Sequence, residues 1–190
     1  GALIAGNNVN LITGQDLKNV GTLRATENLS ANAGNHLINS GLIDAGNRLD
    51  LLTGNNLSNK AGGILAGRDI SLTASKGDLL NERTVIRHNS SNGYRSERTD
   101  FMDSAARIEA ANNLSLHAGR DVHSVGSVIK SGADTAIKAG RNVNLIATEQ
   151  RNSQVAGTLS RGESVTQYGS VIEAGRDFQI VAARDISAIA

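Results

Sequence analysis

Ala45-Gly46-Asn47-Arg48-Leu49-Asp50-Leu51-Leu52-Thr53-Gly54-Asn55-Asn56-Leu57-Ser58-Asn59 states one phrase twice. Each version opens on Gly-Asn, passes a polar residue and enters an apolar strand. The phrase recurs about every ten residues along the chain. One set holds Gly6-Asn7-Asn8-Val9, Thr26-Glu27-Asn28-Leu29, Gly46-Asn47-Arg48-Leu49, Gly67-Arg68-Asp69-Ile70, Ala111-Asn112-Asn113-Leu114, Gly132-Ala133-Asp134-Thr135 and Gly175-Arg176-Asp177-Phe178. A second set interleaves, from Gly14-Gln15-Asp16-Leu17 through Gly34-Asn35-His36-Leu37, Gly54-Asn55-Asn56-Leu57, Lys76-Gly77-Asp78-Leu79, Gly119-Arg120-Asp121-Val122 and Gly140-Arg141-Asn142-Val143 to Ala183-Arg184-Asp185-Ile186. Twelve of the fourteen copies have Asp or Asn before the apolar residue. A repeat this dense makes the chain a stack of one unit, in which each unit touches only its neighbours.

The period is two phrases. The residues that close the first strand, Ala5, Ala25, Ala45, Ala66, Ala110, Ser131 and Ala174, are separated by 20, 20, 21, 44, 21 and 43. The two doubled steps mark inserted residues, so the chain reads as about seven coils of 20–21 residues. Leu3, Leu23, Ile43, Ile64, Ile108, Ile129 and Ile172 hold the apolar position of the first strand. Val9-x-Leu11-x-Thr13, Leu49-x-Leu51-x-Thr53 and Phe178-x-Ile180-x-Ala182 alternate with a period of two, the pattern of a strand with one buried face. Like residues recur at the coil period, so like stacks on like. The expected fold is all-β, a parallel β-helix (β-solenoid) with strands about 4.8 Å apart along its axis.

Local chemistry follows from this stacking. The small third position (Thr13, Ala33, Thr53, Ala74, Ala118, Ala139, Ala147 and Ala182) suits a tight corner. Asn19, Asn39 and Asn59 should form an amide ladder, each bonding the next. Gly and Asp/Asn at the turns suit positive φ or side chains that cap their own backbone. Arg24 and Asp44, then Glu109, Lys130 and Glu173, should form an outer row of opposite charges. A paired-carboxylate glycosidase would need two apposed acids, and Lys130 separates Glu109 from Glu173.

Two segments, about 82–105 and 148–168, break the pattern. Asn92-Gly93 between extendable arms predicts a hairpin; the second centres near Ala156-Gly157. They are expected to fold outward along one side of the stack. They either cover an apolar strip or present a partner-binding surface, on residues the sequence leaves unknown. Tyr94, Phe101 and Tyr168 lie in them.

Composition removes several function classes. A net charge of +1 with no basic run argues against nucleic acid. The chain has no Cys, hence no disulfide or thiol catalysis, and no Pro. The four histidines, His36, His88, His117 and His123, are scattered. Gly-Asp turns occur in calcium-binding rolls, but here the period is wrong and Asn often replaces Asp. The sequence therefore offers no catalytic, cofactor-binding or metal residue, and no small-molecule substrate. No signal peptide or apolar span is visible. The pattern begins and ends mid-strand, so residues 1–190 are expected to be one β-helix segment of a longer array. Its bare ends should allow end-to-end stacking of an otherwise monomeric chain.

Ala45 to Gly54, Ala66 to Ala74, and Tyr168-Gly169-Ser170-Val171-Ile172-Glu173-Ala174-Gly175-Arg176-Asp177 resemble the haemagglutinin repeats of filamentous haemagglutinin-like exoproteins. The resemblance covers the chain apart from its two interruptions. It implies a right-handed parallel β-helix within a large protein, secreted across the Gram-negative outer membrane by a dedicated partner pore. It also implies service in adhesion, with a host or target-cell receptor, or as the stalk of a contact-dependent growth-inhibition effector. The leading reading is a non-enzymatic structural rod. A binding module that contacts a receptor, glycan or membrane is second, and a carbohydrate-active β-helix enzyme third.

Overall fold

The computed structural model describes residues 3–157 and 160–189 as strands and turns wound into seven coils. Each coil gives a strand to each of three faces. Coil 1 is Leu3–Gly6, Val9–Thr13 and Leu17–Asn19; coil 2 is Thr22–Ala25, Asn28–Ala33 and Leu37–Asn39. In coils 3 and 4 the first two strands fuse, giving Leu42–Thr53 with Leu57–Lys60, and Ile64–Ala74 with Leu79–Glu82. Coil 5 is Arg107–Ala110, Leu114–Ala118 and Val122–Val125; coil 6 is Val128–Ser131, Thr135–Ala139 and Val143–Ile146. Coil 7 is Val171–Ala174, Phe178–Ala182 and Ile186–Ile189. The paired strands of successive coils are parallel. The fused strands join the first and second faces into a 12-stranded sheet, and the third face is a separate sheet of seven. This is the parallel β-helix that the repeat implies.

The interior is a set of apolar ladders. On the second face Leu11, Ala31, Leu51, Leu72, Leu116, Ile137 and Ile180 stack in register. Leu17, Leu37, Leu57, Leu79, Val122, Val143 and Ile186 do so on the third. On the first face the inward ladder is Ile4, Leu23, Ile43, Leu65, Ile108, Ile129 and Ile172. Leu3 and Ile64 are therefore one residue out of the expected ladder, and Gly6 and Gly67 replace Ala5 and Ala66 at its close. Leu3-Ile4 and Ile64-Leu65 are adjacent apolar pairs, so alternation alone does not say which member points in. Coil 4 adds a second cause: Ala45 faces Gly67 but Arg48 faces Asp69, so one residue is missing at that corner. A Cβ on Gly67 would press on Leu49 Cβ at 3.2 Å and Ile70 Cγ1 at 3.3 Å. Ala147 also leaves its expected ladder; it follows the third-face strand Val143–Ile146 and donates to the Ile189 carbonyl at 2.9 Å.

The asparagine ladder forms, and it is longer than the three residues first named. Nδ2 of Asn19, Asn39 and Asn59 donates to Oδ1 of Asn39, Asn59 and Asn81 at 2.8, 2.8 and 2.9 Å. Each amide also donates to backbone carbonyls, as Asn59 does to Gly63 and Arg107 at 3.0 Å each. Asn39, Asn59 and Asn81 are fully buried. The buried side-chain amides of the ladder thus have partners, as burial demands. The ladder ends where Asn81 donates to Ser127 Oγ at 3.0 Å. Ser124 takes the next place.

At the corners, the expected reason for Asp and Asn is corrected. The side chain caps the equivalent residue of the next coil rather than its own backbone. His36 N–H donates to Asp16 Oδ1 at 3.1 Å, Asn56 N–H to His36 Nδ1 at 3.1 Å and Asp78 N–H to Asn56 Oδ1 at 3.0 Å. Asp121 N–H then donates to Asp78 Oδ1 at 3.1 Å and Asn142 N–H to Asp121 Oδ1 at 2.9 Å. His36 is accommodated because a ring nitrogen also accepts. The glycines of the Gly-x-Asp/Asn corners do not need positive φ either; those with positive φ are Gly62 and Gly126, at the corner from the third face to the first, and Gly93 and Gly157, in the hairpin turns. A Cβ on Gly54 would collide with the Gly34 carbonyl of the coil below. Close backbone approach, not left-handed φ, selects glycine there.

Arginines of the Gly-Arg-Asp and Gly-Arg-Asn corners use the same stacking. Arg120 reaches back to Asp78, Arg141 to Asp121 and Arg176 to Asp134, the last at 3.0 Å. Arg120, against a smaller cost of burial and with help from the Asp121 N–H, holds the Asp78 carboxyl below the usual carboxylate range. The sign is that of a depressed acid: the stabilisation is present above the unfolded value of about 3.9 and is lost as pH falls through the lower folded value. Because Arg120 is half exposed, Arg120→Ala should cost only a small part of the stability at pH 7. Urea unfolding should show that difference shrinking as pH falls below about 3.9. An equal difference above and below that pH would contradict the pairing.

The end coils expose their cross-section. Ile4 is exposed at one end, and Phe178 and Ile186 at the other. The 190-residue chain should therefore associate end to end as concentration rises, through the parallel pairing that joins its coils. Light scattering over a dilution series checks this; a constant monomer mass at high concentration would refute it.

Candidate functional site

The two interrupting segments are the surface features that depart from the rod. The first is a hairpin of Val85–Ser91 and Arg95–Met102; the second is Thr148–Ala156 and Ser160–Tyr168. The first turns where the Asn-Gly signal lies. Gly93 has φ +82°, Asn92 N–H donates to the Arg95 carbonyl at 3.0 Å, and Arg95 N–H donates to Asn92 Oδ1 at 3.0 Å. Gly157, with φ +58°, opens the second turn. Residues 158 and 159 lie outside the described residues.

The hairpins pair with one another, which was not anticipated. Arg95 to Thr99 run antiparallel to Ala156 to Asn152, making a four-stranded sheet separate from the three faces. Both hairpins leave the same corner, between the third face and the first, two coils apart. Each would otherwise present an unpaired edge, and neighbouring edges satisfy each other. Beyond Thr99, side chains replace the backbone ladder. Asp100 N–H donates to Asn152 Oδ1 at 3.1 Å, and Arg151 N–H donates to Asp100 Oδ2 at 3.0 Å. Arg98 grips both Asp100 oxygens at 2.9 and 2.8 Å. Its guanidinium, against desolvation, holds the Asp100 carboxyl below the usual range.

A clamp ties the hairpin bases to the rod. Arg83 lies 4.6 Å from the Tyr168 ring centre. It donates to the Gly126 and Asp103 carbonyls at 3.0 and 2.8 Å. Gly126, at φ +52°, leaves room for Thr148 and the Tyr168 carbonyl, which a Cβ would strike. Of the aromatics in these segments, Tyr168 packs, whereas Tyr94 at the first turn is 87% exposed and Phe101 is 59% exposed. Phe101 pairs across the hairpin with Ile86, which is also exposed. Tyr94, Phe101 and Ile86 thus present most of their surface to solvent.

The charged row lies where the sequence put it. Arg24 pairs with Asp44 at 3.0 Å, and Glu109, Lys130 and Glu173 stack on successive coils, with Lys130 Nζ 2.9 Å from Glu173. Glu173 draws the Lys130 ammonium above its usual value. The two glutamates are thus separated by a cation. A shallow groove beside the short corner of coil 4 is walled by Asp44, Arg68, Arg107, Glu109 and Lys130. Arg107 pairs there with Glu109. The histidines are not gathered: His36 caps a corner, His88 is on the first hairpin, His117 is on the second face and His123 is on the third. Among the described residues, no cluster of three His, Asp or Glu could hold a metal.

Comparison with known proteins gives the family of the repeat. Residues 87–162, which span the hairpins and the coils between them, match the hemagglutinin repeat family. A 16S rRNA endonuclease CdiA of Enterobacter cloacae is 33% identical over 110 residues, 51% of this chain and 3% of that protein. A tRNA nuclease CdiA of Escherichia coli is 27% identical over 153 residues, 77% of this chain and 5% of that protein. The chain thus spans only a few per cent of the length of these relatives. No solved structure matches it. The chain is built of filamentous-haemagglutinin-like repeats.

Proposed function

We propose that this segment of filamentous-haemagglutinin-like repeats is a non-enzymatic rigid stalk within a large exoprotein of the Gram-negative cell surface. It spaces and presents other parts of its parent, for adhesion or for contact-dependent delivery of a toxin carried elsewhere. The observation that carries the reading is continuity: among the described residues one apolar interior runs through all seven coils, and a buried asparagine ladder adds to it through the first four. Such a solenoid is stiff along its axis and transmits position rather than chemistry. The parent is exported by a dedicated outer-membrane partner. Its localisation is secreted or held outside the outer membrane.

A second reading has its own observation. Tyr94, 87% exposed at a hairpin turn, and the exposed Ile86–Phe101 pair could contact a receptor, glycan or membrane. Replacing residues 85–103 by a tight turn in the full-length protein separates the two. A stalk predicts unchanged adhesion or target-cell delivery at equal surface display. A loss of more than about tenfold with coils still folded, a deficit of over 1.4 kcal/mol in binding, would move the function to the hairpins.

A further inference from the structure

The hairpins recur with the coils in a period longer than one coil. On the third face, Leu79 stacks on Val122 and Val122 on Val143, a distance of 143 − 79 = 64 residues over two coils. Val122 to Ile186 spans 186 − 122 = 64 over the next two. The first-face pairs Leu65–Ile108–Ile129 and Ile108–Ile129–Ile172 give 129 − 65 = 64 and 172 − 108 = 64. The left-handed turn glycines of the hairpins, Gly93 and Gly157, are also 157 − 93 = 64 apart. The structural unit of this part of the chain is therefore two coils and one hairpin.

That unit is commensurate with a second sheet. Two coils rise about 9.6 Å, and the two strands of one hairpin, side by side, are about 9.6 Å wide. One hairpin per two coils thus supplies strands at the spacing of the rod's rise, and a lateral sheet can run beside the rod without strain. The first seam of that sheet is the pairing of Arg95–Met102 with Thr148–Ala156. One of its edges is a beginning: two coils earlier the corner is the short turn Ser40-Gly41, which has no hairpin to offer. The other edge, Ser160–Tyr168, is nine residues long and carries neither Pro nor Lys; its only charges are Arg161 and Glu163, of opposite sign.

We propose that Ser160–Tyr168 is an acceptor edge for the first strand of another hairpin of the same two-coil unit, placed two coils farther along the same rod. The added strand would repeat the antiparallel relation of Thr148–Ala156 to Arg95–Met102. The partner is a further copy of this unit in the same chain, and the result is a continuous antiparallel sheet that braces the rod along one side. This goes beyond the stalk reading and holds whether or not the hairpins also bind a receptor.

The test is a tandem chain: residues 1–189 followed directly by a second copy of residues 126–189. This join preserves the 64-residue period, because residue 189 stands where Val125 stands one unit earlier. Amide hydrogen exchange is compared with that of the 190-residue chain. The outward-facing amides along 160–163, equivalent by the 64-residue period to the paired stretch up to Thr99, should exchange at least about tenfold more slowly in the tandem chain. A control tandem, with the added hairpin replaced by the Ser40-Gly41 turn, should lose that protection while its added coils stay protected. Equal exchange of 160–163 in the 190-residue and tandem chains, with the added coils protected, would overturn the proposal. So would protection in the 190-residue chain that grows with its concentration, since the occupant would then be another molecule.

Discussion

Leu51→Asp is expected to abolish cooperative folding of the central coils. Leu51 is 1% exposed, stacked between Ala31 and Leu72, and every direction from its side chain meets apolar atoms. A carboxylate there has no donor and no water. The substitution forfeits about 2–5 kcal/mol of packing and adds the cost of an unpaired buried acid, at least several kcal/mol. Against a net stability of about 5–15 kcal/mol for a domain this size, the sum is enough to unfold it. In a solenoid the damage reaches coils 2 and 4 directly, because each coil's interior is its neighbours' contact surface. Circular dichroism during heating should show no sharp transition. Asp50→Ala, one residue away, is the control. Asp50 faces outward, where Arg48 holds it at 2.6 Å, and its loss should cost under about 1 kcal/mol. A melt of Leu51→Asp that matches the parent would mean the residue is not inside.

The second large effect is Asn59→Asp, a change of one atom. Asn59 Nδ2 donates to Asn81 Oδ1 and to the Gly63 and Arg107 carbonyls. A carboxylate oxygen in that place would face three oxygens and donate to none. The volume is unchanged, so the loss of about 4 kcal/mol or more is electrostatic. It should also be pH-dependent with a definite sign. The introduced carboxyl is charged only at a cost, so its folded pKa rises above the unfolded value of about 3.9. The penalty is full above the folded value and disappears as pH falls below the unfolded one. Relative to the parent, the variant should regain stability on acidification, opposite to the trend that Asp78 imparts. Chemical unfolding at pH 7 and pH 4 measures this. A destabilisation that does not change with pH would mean the donor ladder is not what Asn59 supplies.

The ladder explains why a buried amide can persist through four coils. In a parallel stack each asparagine presents a donor upward and an acceptor downward, so identical residues satisfy each other and only the ends need help. Asn19 and the Ser124–Ser127 pair stand at those ends. Between them, Asn39, Asn59 and Asn81 each accept from the asparagine before, backbone carbonyls take the spare donors, and repetition meets the polar demand of the ladder.

Much of this was legible from one chain. Leu49-x-Leu51-x-Thr53 fixed an inward face because alternation is a local property of a pleated strand. The coil period fixed the parallel stacking because residues that recur at equal spacing must meet their own kind. Those two facts placed Leu51 against Leu72, Asn39 between Asn19 and Asn59, and Lys130 between Glu109 and Glu173, the last across 43 residues of separation. Where the pattern was locally degenerate, at Leu3-Ile4 and Ile64-Leu65, the face depended on how a neighbouring coil seated the strand. The missing residue at the coil 4 corner, which pulls Gly67 inward against Leu49, could be seen only once coils 3 and 5 were in place. The roles of Gly54 and of the Asp and Asn corners likewise belong to the stack, since their partners lie one coil, about 20 residues or more, away. The pairing of the two hairpins was decided by tertiary structure alone. Neither hairpin encodes the other; their shared exit corner and two-coil offset bring one unpaired edge to within a strand's width of the next. Periodicity thus determined what repeats and what is buried, and stacking geometry determined which edges, carbonyls and corners meet.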